Sequence, residues 1–272
     1  MFRLVPALAT ALAALCTTSA ALGADYGDGG LRGSLPSNWG DLSDAGDPLE
    51  FEFGVRYNYS MGNRSMVENG NSYQINDSTH TIEAYGRIDD FSTGSYLKGH
   101  AGYSAIYEGD NTTPLTVISR PVDSGRLVYA TADFGYLAFG DGDFNWGPFI
   151  GYHYSGTQSS VGIVNESVNV DMHVARLGVA AKGEVGDGVN LAAEVALVPY
   201  SLQSGSAQNG DNFNANLFGA QGEVSLDFQP YDSFVVSLGA RASYLTDDFG
   251  AAGTDHSTDF RAGGFLGVGY RY

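Results

Sequence analysis

Three observations in the sequence predict an all-β chain: a transmembrane antiparallel up-and-down β-barrel of about ten strands, preceded by an N-terminal signal peptide. Runs of period-two alternation, the mark of strands, recur ten times between residues 48 and 272. The connections between those runs alternate between long and short. No stretch beyond the leader approaches the roughly 20 apolar residues of a membrane-spanning helix, so any crossing has to use strands.

Residues 1–24 read as the signal peptide. Arg3 precedes an apolar run from Leu4 to Leu15, and small residues follow as far as Ala24. Cleavage is expected after Ala24; Ala20 and Ala21 are alternatives, because Leu22 fits the −3 position poorly. The one cysteine, Cys16, lies in this leader after Leu15, so neither lipid attachment nor a disulfide is expected. Without Arg3 the chain carries 12 Lys and Arg against 31 Asp and Glu, a net charge of about −19. That balance excludes a nucleic-acid surface, which has to be basic. It would also suit an acidic soluble secreted protein. Residues 25–47 read as an irregular segment with Leu31, Leu35 and Trp39 as isolated anchors, placed on the periplasmic side or in the barrel mouth.

The first strand, Leu49 to Met61, sets Leu49, Phe51, Phe53, Val55, Tyr57, Tyr59 and Met61 against Glu50, Glu52, Gly54, Arg56, Asn58 and Ser60. It is about twice the usual strand length of five or six residues. The second, Thr79 to Asp90, sets Ile82, Ala84 and Ile88 against Glu83, Tyr85 and Arg87. In the third, Ser95 to Tyr107, the apolar face is Leu97, Ala101, Tyr103 and Tyr107, opposite Lys98, His100 and Ser104. The fourth, Arg126 to Phe139, opposes Val128 through Tyr136 to Thr131 and Asp133. The fifth, Phe149 to Ser155, turns Ile150, Tyr152 and Tyr154 one way. The sixth, Ser167 to Lys182, changes phase near Ala175 and Arg176, which predicts either a bulge there or an extension above the membrane. Asn190 to Tyr200, Asn216 to Phe228 and Phe234 to Leu245 follow the same rule. The tenth, Phe260 to Tyr272, puts Phe260, Ala262, Gly264, Leu266, Val268, Tyr270 and Tyr272 on one face.

Connections after odd-numbered strands (62–78, 108–125, 156–166, 201–215, 246–258) are long, and those after even-numbered strands are short. An even strand count with loops sorted by end is the pattern of bacterial outer-membrane barrels, with both termini on the periplasmic side. A soluble sandwich gives no reason for such sorting. If the apolar face meets lipid, the other face is a lumen. It collects Glu50, Glu52, Arg56, Glu83, Arg87, Lys98, His100, Asp133, Glu194, Glu223, Asp227, Arg241, Arg261 and Arg271, joined by Arg176 and Lys182 if Leu177 and Val179 point outward. Buried charges have to be paired, so this near-balance predicts a cross-linked, narrow or plugged lumen.

The chain resembles the alphaproteobacterial outer-membrane β-barrel proteins of the opacity/porin-like group. The resemblance rests on the leader, LRGSLPSNW at Leu31 to Trp39, FEFGVRYNYSMG at Phe51 to Gly62, RIDDFSTGSYLKGHAGY at Arg87 to Tyr103, AEVALVPYS at Ala193 to Ser201, and the terminal GVGYRY. It implies residence in the outer membrane, contact with its lipid, and insertion by the barrel-assembly machinery. That machinery would read Phe260, Leu266, Val268, Tyr270 and Tyr272. No single activity is implied, since one fold hosts many functions.

Candidate chemistry is sparse. Asp171-Met172-His173 resembles the Asp-x-His pair of omptin proteases, which also need a second acidic pair at the same rim; Asp89-Asp90 falls at the opposite end. His153-Tyr154-Ser155 is similar to the His-x-Ser spacing of lipid A deacylases, but His153 is expected to point inward. Gly140 to Asp143 lacks the spacing of a calcium loop and reads as a turn. The expectation is a structural barrel or a narrow passive pore for small solutes, with no catalytic residues, cofactor or metal. The alternatives are an adhesin or receptor acting through residues 62–78 and 108–125 and, more remotely, a surface enzyme.

Overall fold

The computed structural model describes residues 49–68, 71–113, 116–121, 124–140, 143–161, 166–207, 212–231, 233–247 and 256–272. The leader, the segment 25–47, half of the Gly140 to Asp143 turn and the centres of the long connections lie outside them. Ten antiparallel strands form the wall: β1 (Leu49–Glu68), β2 (Asn71–Asp90), β3 (Ser95–Thr113), β4 (Ser124–Tyr136), β5 (Phe144–Val161), β6 (Glu166–Gly186), β7 (Val189–Ala207), β8 (Asn212–Tyr231), β9 (Phe234–Thr246) and β10 (His256–Arg271). Each pairs with its neighbours in sequence, and β1 pairs with β10 from Glu52↔Arg271 to Val67↔His256, so the sheet closes on itself. Closure removes every free edge, which is what lets strands stand in hydrocarbon. Two short segments, Thr116–Pro121 and Phe139–Gly140, add to β3 and β5 at opposite ends.

The strands are longer than the alternation alone indicated. Much of what reads as long polar loop is strand: β1 and β2 pair as far as Glu68↔Asn71, and β5 and β6 as far as Val161↔Glu166. A strand of 20 residues, such as β1, tilted by about 40°, rises roughly 50 Å, about twice the height of a barrel's lipid-facing band. Outward aromatics mark that band. Phe53, Phe134, Tyr136, Trp146 and Tyr270 ring the short-turn end; Tyr57, Tyr59, Tyr103, Tyr152 and Tyr244 stand higher, with Val55, Ile82, Ile150, Leu197, Leu238 and Leu266 between. Such girdles sit where hydrocarbon gives way to headgroups.

Above the upper girdle the wall inverts. There the outside faces water and the inside becomes the core, so the apolar residues turn inward. Val170, Met172 and Val174 of β6 pack with Val198, Leu217 and Leu245 of β7, β8 and β9. This explains the phase change read near Ala175 and Arg176. In fact β6 keeps one phase throughout, with Arg176 inward and Leu177 and Val179 outward. Its sequence changes character because its surroundings do. The bulge lies in the adjoining strand. Val198 faces inward and so does Ser201, and β7 slips by one residue against both neighbours between these positions. Pro199, which has no N–H for the ladder, sits in that slip, where its missing donor is tolerated. A second slip between Ser104 and Ile106 turns Tyr107 inward, correcting its expected place on the lipid face.

Candidate functional site

The charged residues expected in the lumen lie inside the barrel, on three levels. At the short-turn mouth, Arg271 donates to Glu52 at 2.6 Å and Gln229 at 3.0 Å, with Glu50 at 3.5 Å. Lys182 bonds Asp89 at 3.0 Å and stands 3.6 Å from Glu50. Arg87 forks onto Asp89 at 2.7 and 2.8 Å and lies over the Tyr96 ring.

The middle level is the densest. Arg176 reaches Asp133 at 2.5 Å and Glu194 at 2.8 Å. Lys98 of β3 spans the lumen to Glu194 of β7 at 2.9 Å and Glu223 of β8 at 3.0 Å. In a ring of ten, β3 and β8 are diametrically opposed, so this side chain is a crossbar. Arg241 joins Glu83 at 2.7 Å and Glu223 at 3.2 Å; Arg56 stands 3.6 Å from Glu83 and 3.9 Å from Glu223. Both guanidiniums face the inward ring of Phe265, at 4.6 Å from Arg56 and 5.0 Å from Arg241, an arrangement that favours a cation. The Tyr129 hydroxyl donates to Glu83 at 2.8 Å. Its ring lies flat on the adjoining strand at Gly102, where a Cβ would collide with it. His100 is buried edge-on against that ring, with Nε2 3.5 Å from Arg241.

The upper level was foreseen only in Arg261, because Arg64 and Asp77 fall in a stretch that reads as loop and Asp259 falls just outside the last strand. Arg64 bonds Asp259 at 2.6 Å, Arg261 meets Asp77 at 2.7 Å, and the Tyr107 hydroxyl donates to Asp77 at 3.2 Å. Asp89, near the end of the second strand, was not counted among the lumen charges, yet it anchors the mouth level. Continuing the strand parity past Met61 and Ile88 would have found Arg64 and Asp89.

Small side chains decide how open the lumen is. Thr79, Ser201 and Ser237 project inward and have no solvent exposure. Groups this short are shielded only where material fills the space in front of them. A cavity of about 40 Å³, lined by Glu52, Arg56, Tyr85, Lys98, Ser225 and Asp227 among others, lies between the mouth and middle levels.

The two enzyme-like spacings are kept apart from one another. Asp171 and His173 face outward on β6; Asp171 accepts from the Tyr154 hydroxyl at 2.8 Å, and His173 bonds that of Tyr152 at 2.5 Å. They line no part of the lumen. His153 points inward, bonded to Thr131 at 2.8 Å. Among the described residues no group of three or more His, Cys, Asp or Glu is arranged to hold a metal ion.

No family model matches the chain, and no curated protein does. Solved structures do. The outer membrane protease OmpT of Escherichia coli superposes with a TM-score of 0.63 at 8% identity, over 83% of this chain and 97% of that one. Looser matches are OprG of Pseudomonas aeruginosa (TM-score 0.35, 8% identity, 82% and 95% coverage) and Ail of Yersinia pestis (TM-score 0.32, 12% identity, 82% and 99% coverage). At such identities the OmpT superposition speaks for a shared tall barrel and for nothing finer.

Proposed function

We propose that this protein is an outer-membrane barrel with a structural role, whose resting lumen does not conduct. What carries the reading is the Lys98 crossbar, at a level where four cations and four carboxylates neutralise one another across the interior. Moving an ion through it would separate buried pairs, at a cost of several kcal/mol each. The protein refolded into planar bilayers is expected to show no steady single-channel steps. Reproducible conductance from the wild type would refute the closed lumen.

A second reading concerns display. The β1–β2 hairpin rises roughly 25 Å beyond the upper aromatic girdle, an extent that membrane anchoring does not require. It suits presentation of the connecting residues to a partner outside the cell. Cells bearing a chain shortened at residues 66–73 should then lose adhesion that wild-type cells show; unchanged adhesion would remove this reading.

A further inference from the structure

The ion pairs of the mouth and middle levels do not close. Seven cations (Arg56, Arg87, Lys98, Arg176, Lys182, Arg241, Arg271) face eight carboxylates (Glu50, Glu52, Glu83, Asp89, Asp133, Glu194, Glu223, Asp227), and all but one of these fifteen groups stands in an ion pair. The exception is Asp227. It is 8% exposed, its Oδ1 is buried with no hydrogen-bond partner among the described residues, and it lines the 40 Å³ cavity. Arg271 is near enough to feel its charge, but that guanidinium is held by Glu52 and Gln229. The other cations on the cavity wall (Arg56, Arg87, Lys98 and Lys182) each face carboxylates of their own.

An uncompensated carboxylate in such a place is costly unless something neutralises it. We propose that the cavity beside Asp227 binds one small monovalent cation, of the sodium or potassium class. Asp227 supplies the charge, and Ser225 and Tyr85 line the same space. A divalent ion is disfavoured, because it prefers six or more oxygens and several carboxylates, whereas one negative charge is in excess here. The volume suits one ion with one or two waters. Asp227 lies two residues before Gln229, near the short β8–β9 turn that begins to close the mouth, so an ion would enter from the short-turn end.

The test uses the full chain refolded in zwitterionic detergent at fixed ionic strength, with sodium or potassium replaced stepwise by N-methyl-D-glucamine. The wild-type unfolding midpoint should rise with the small cation and saturate, while Asp227→Asn should show no such dependence. Ser225→Ala should move the half-saturating concentration upward by several fold. If Asp227→Asn fails to refold, broadening of the sodium-23 resonance by wild type, reversed by potassium, provides the direct reading. A wild-type midpoint indifferent to the substitution, together with no sodium broadening, overturns the proposal, as does an equal response in Asp227→Asn. None of these readouts depends on conductance, so the site can fail while the closed lumen stands.

Discussion

Replacing Arg176 by methionine is the sharpest probe of the interior. The residue is 7% exposed, and its guanidinium holds Asp133, 1% exposed, through two bonds at 2.7 and 2.5 Å, and Glu194 at 2.8 Å. Glu194 keeps Lys98 at 2.9 Å after the change, so the group left stranded is Asp133. Removing one partner of a buried pair costs about 3–5 kcal/mol, mostly from the charge left behind. Methionine restores much of the volume and can still lie against Phe149, over which Arg176 now stacks, so lost packing contributes little. Removing both partners together, as Arg176→Met with Asp133→Leu, should cost far less than the single change, since a buried pair exchanged for apolar groups is often neutral. Urea unfolding in lipid vesicles, followed by tryptophan emission, measures all three proteins; Trp146 faces the lipid on the adjoining strand β5 and reports directly. A single-mutant loss below about 1 kcal/mol, the scale of an exposed pair, would mean that water reaches Asp133. A double mutant as unstable as the single would refute the stranded-charge argument itself.

Other positions test other parts of the wall. Phe265→Ala should destabilise by about 3–5 kcal/mol in the same assay, because a 2% exposed ring is deleted; Phe265→Leu should recover most of this but not the roughly 1–2 kcal/mol from the two stacked guanidiniums. Deleting Tyr272 removes the paired bonds between its backbone and Phe51 at the closing seam, and the reading of the last strand as an assembly signal predicts a larger drop in outer-membrane level than in unfolding midpoint; equal drops would count against that signal. Asp90 ends β2 beside the β2–β3 turn, where burial raises its pKa, but hydrogen bonds from the side chains and backbone of Ser92 and Thr93 outweigh this and hold it below the ordinary aspartate value. A depressed folded-state pKa means that its stabilisation is present above the unfolded value and lost as pH falls through the folded one. Asp90→Asn should therefore be less stable than wild type at neutral pH, and the two should converge in acid when unfolding midpoints are compared across pH.

The sequence by itself determined which way most side chains face. Alternation is a property of the extended backbone, so Glu50 through Arg56, or Arg261 through Arg271, could be sorted to lumen or lipid with no knowledge of their neighbours. It also determined closure, through the strand count and the absence of any other means of crossing a bilayer. The tertiary structure alone decided three things. Slips near Ala105 and Pro199 reversed the parity beyond them, and a slip is invisible where both faces are of mixed polarity, so Tyr107 was placed on the wrong side. The height of the membrane decided where apolar residues turn from outside to inside, which is why β6 seemed to change phase when only its surroundings changed. Finally, the pairings of Lys98 with Glu223, or Arg176 with Asp133, join strands far apart in the chain, and only the closed barrel brings them within bonding distance. Among the described residues, that closure also leaves Asp227 as the one interior carboxylate of its two levels without an ion-pair partner.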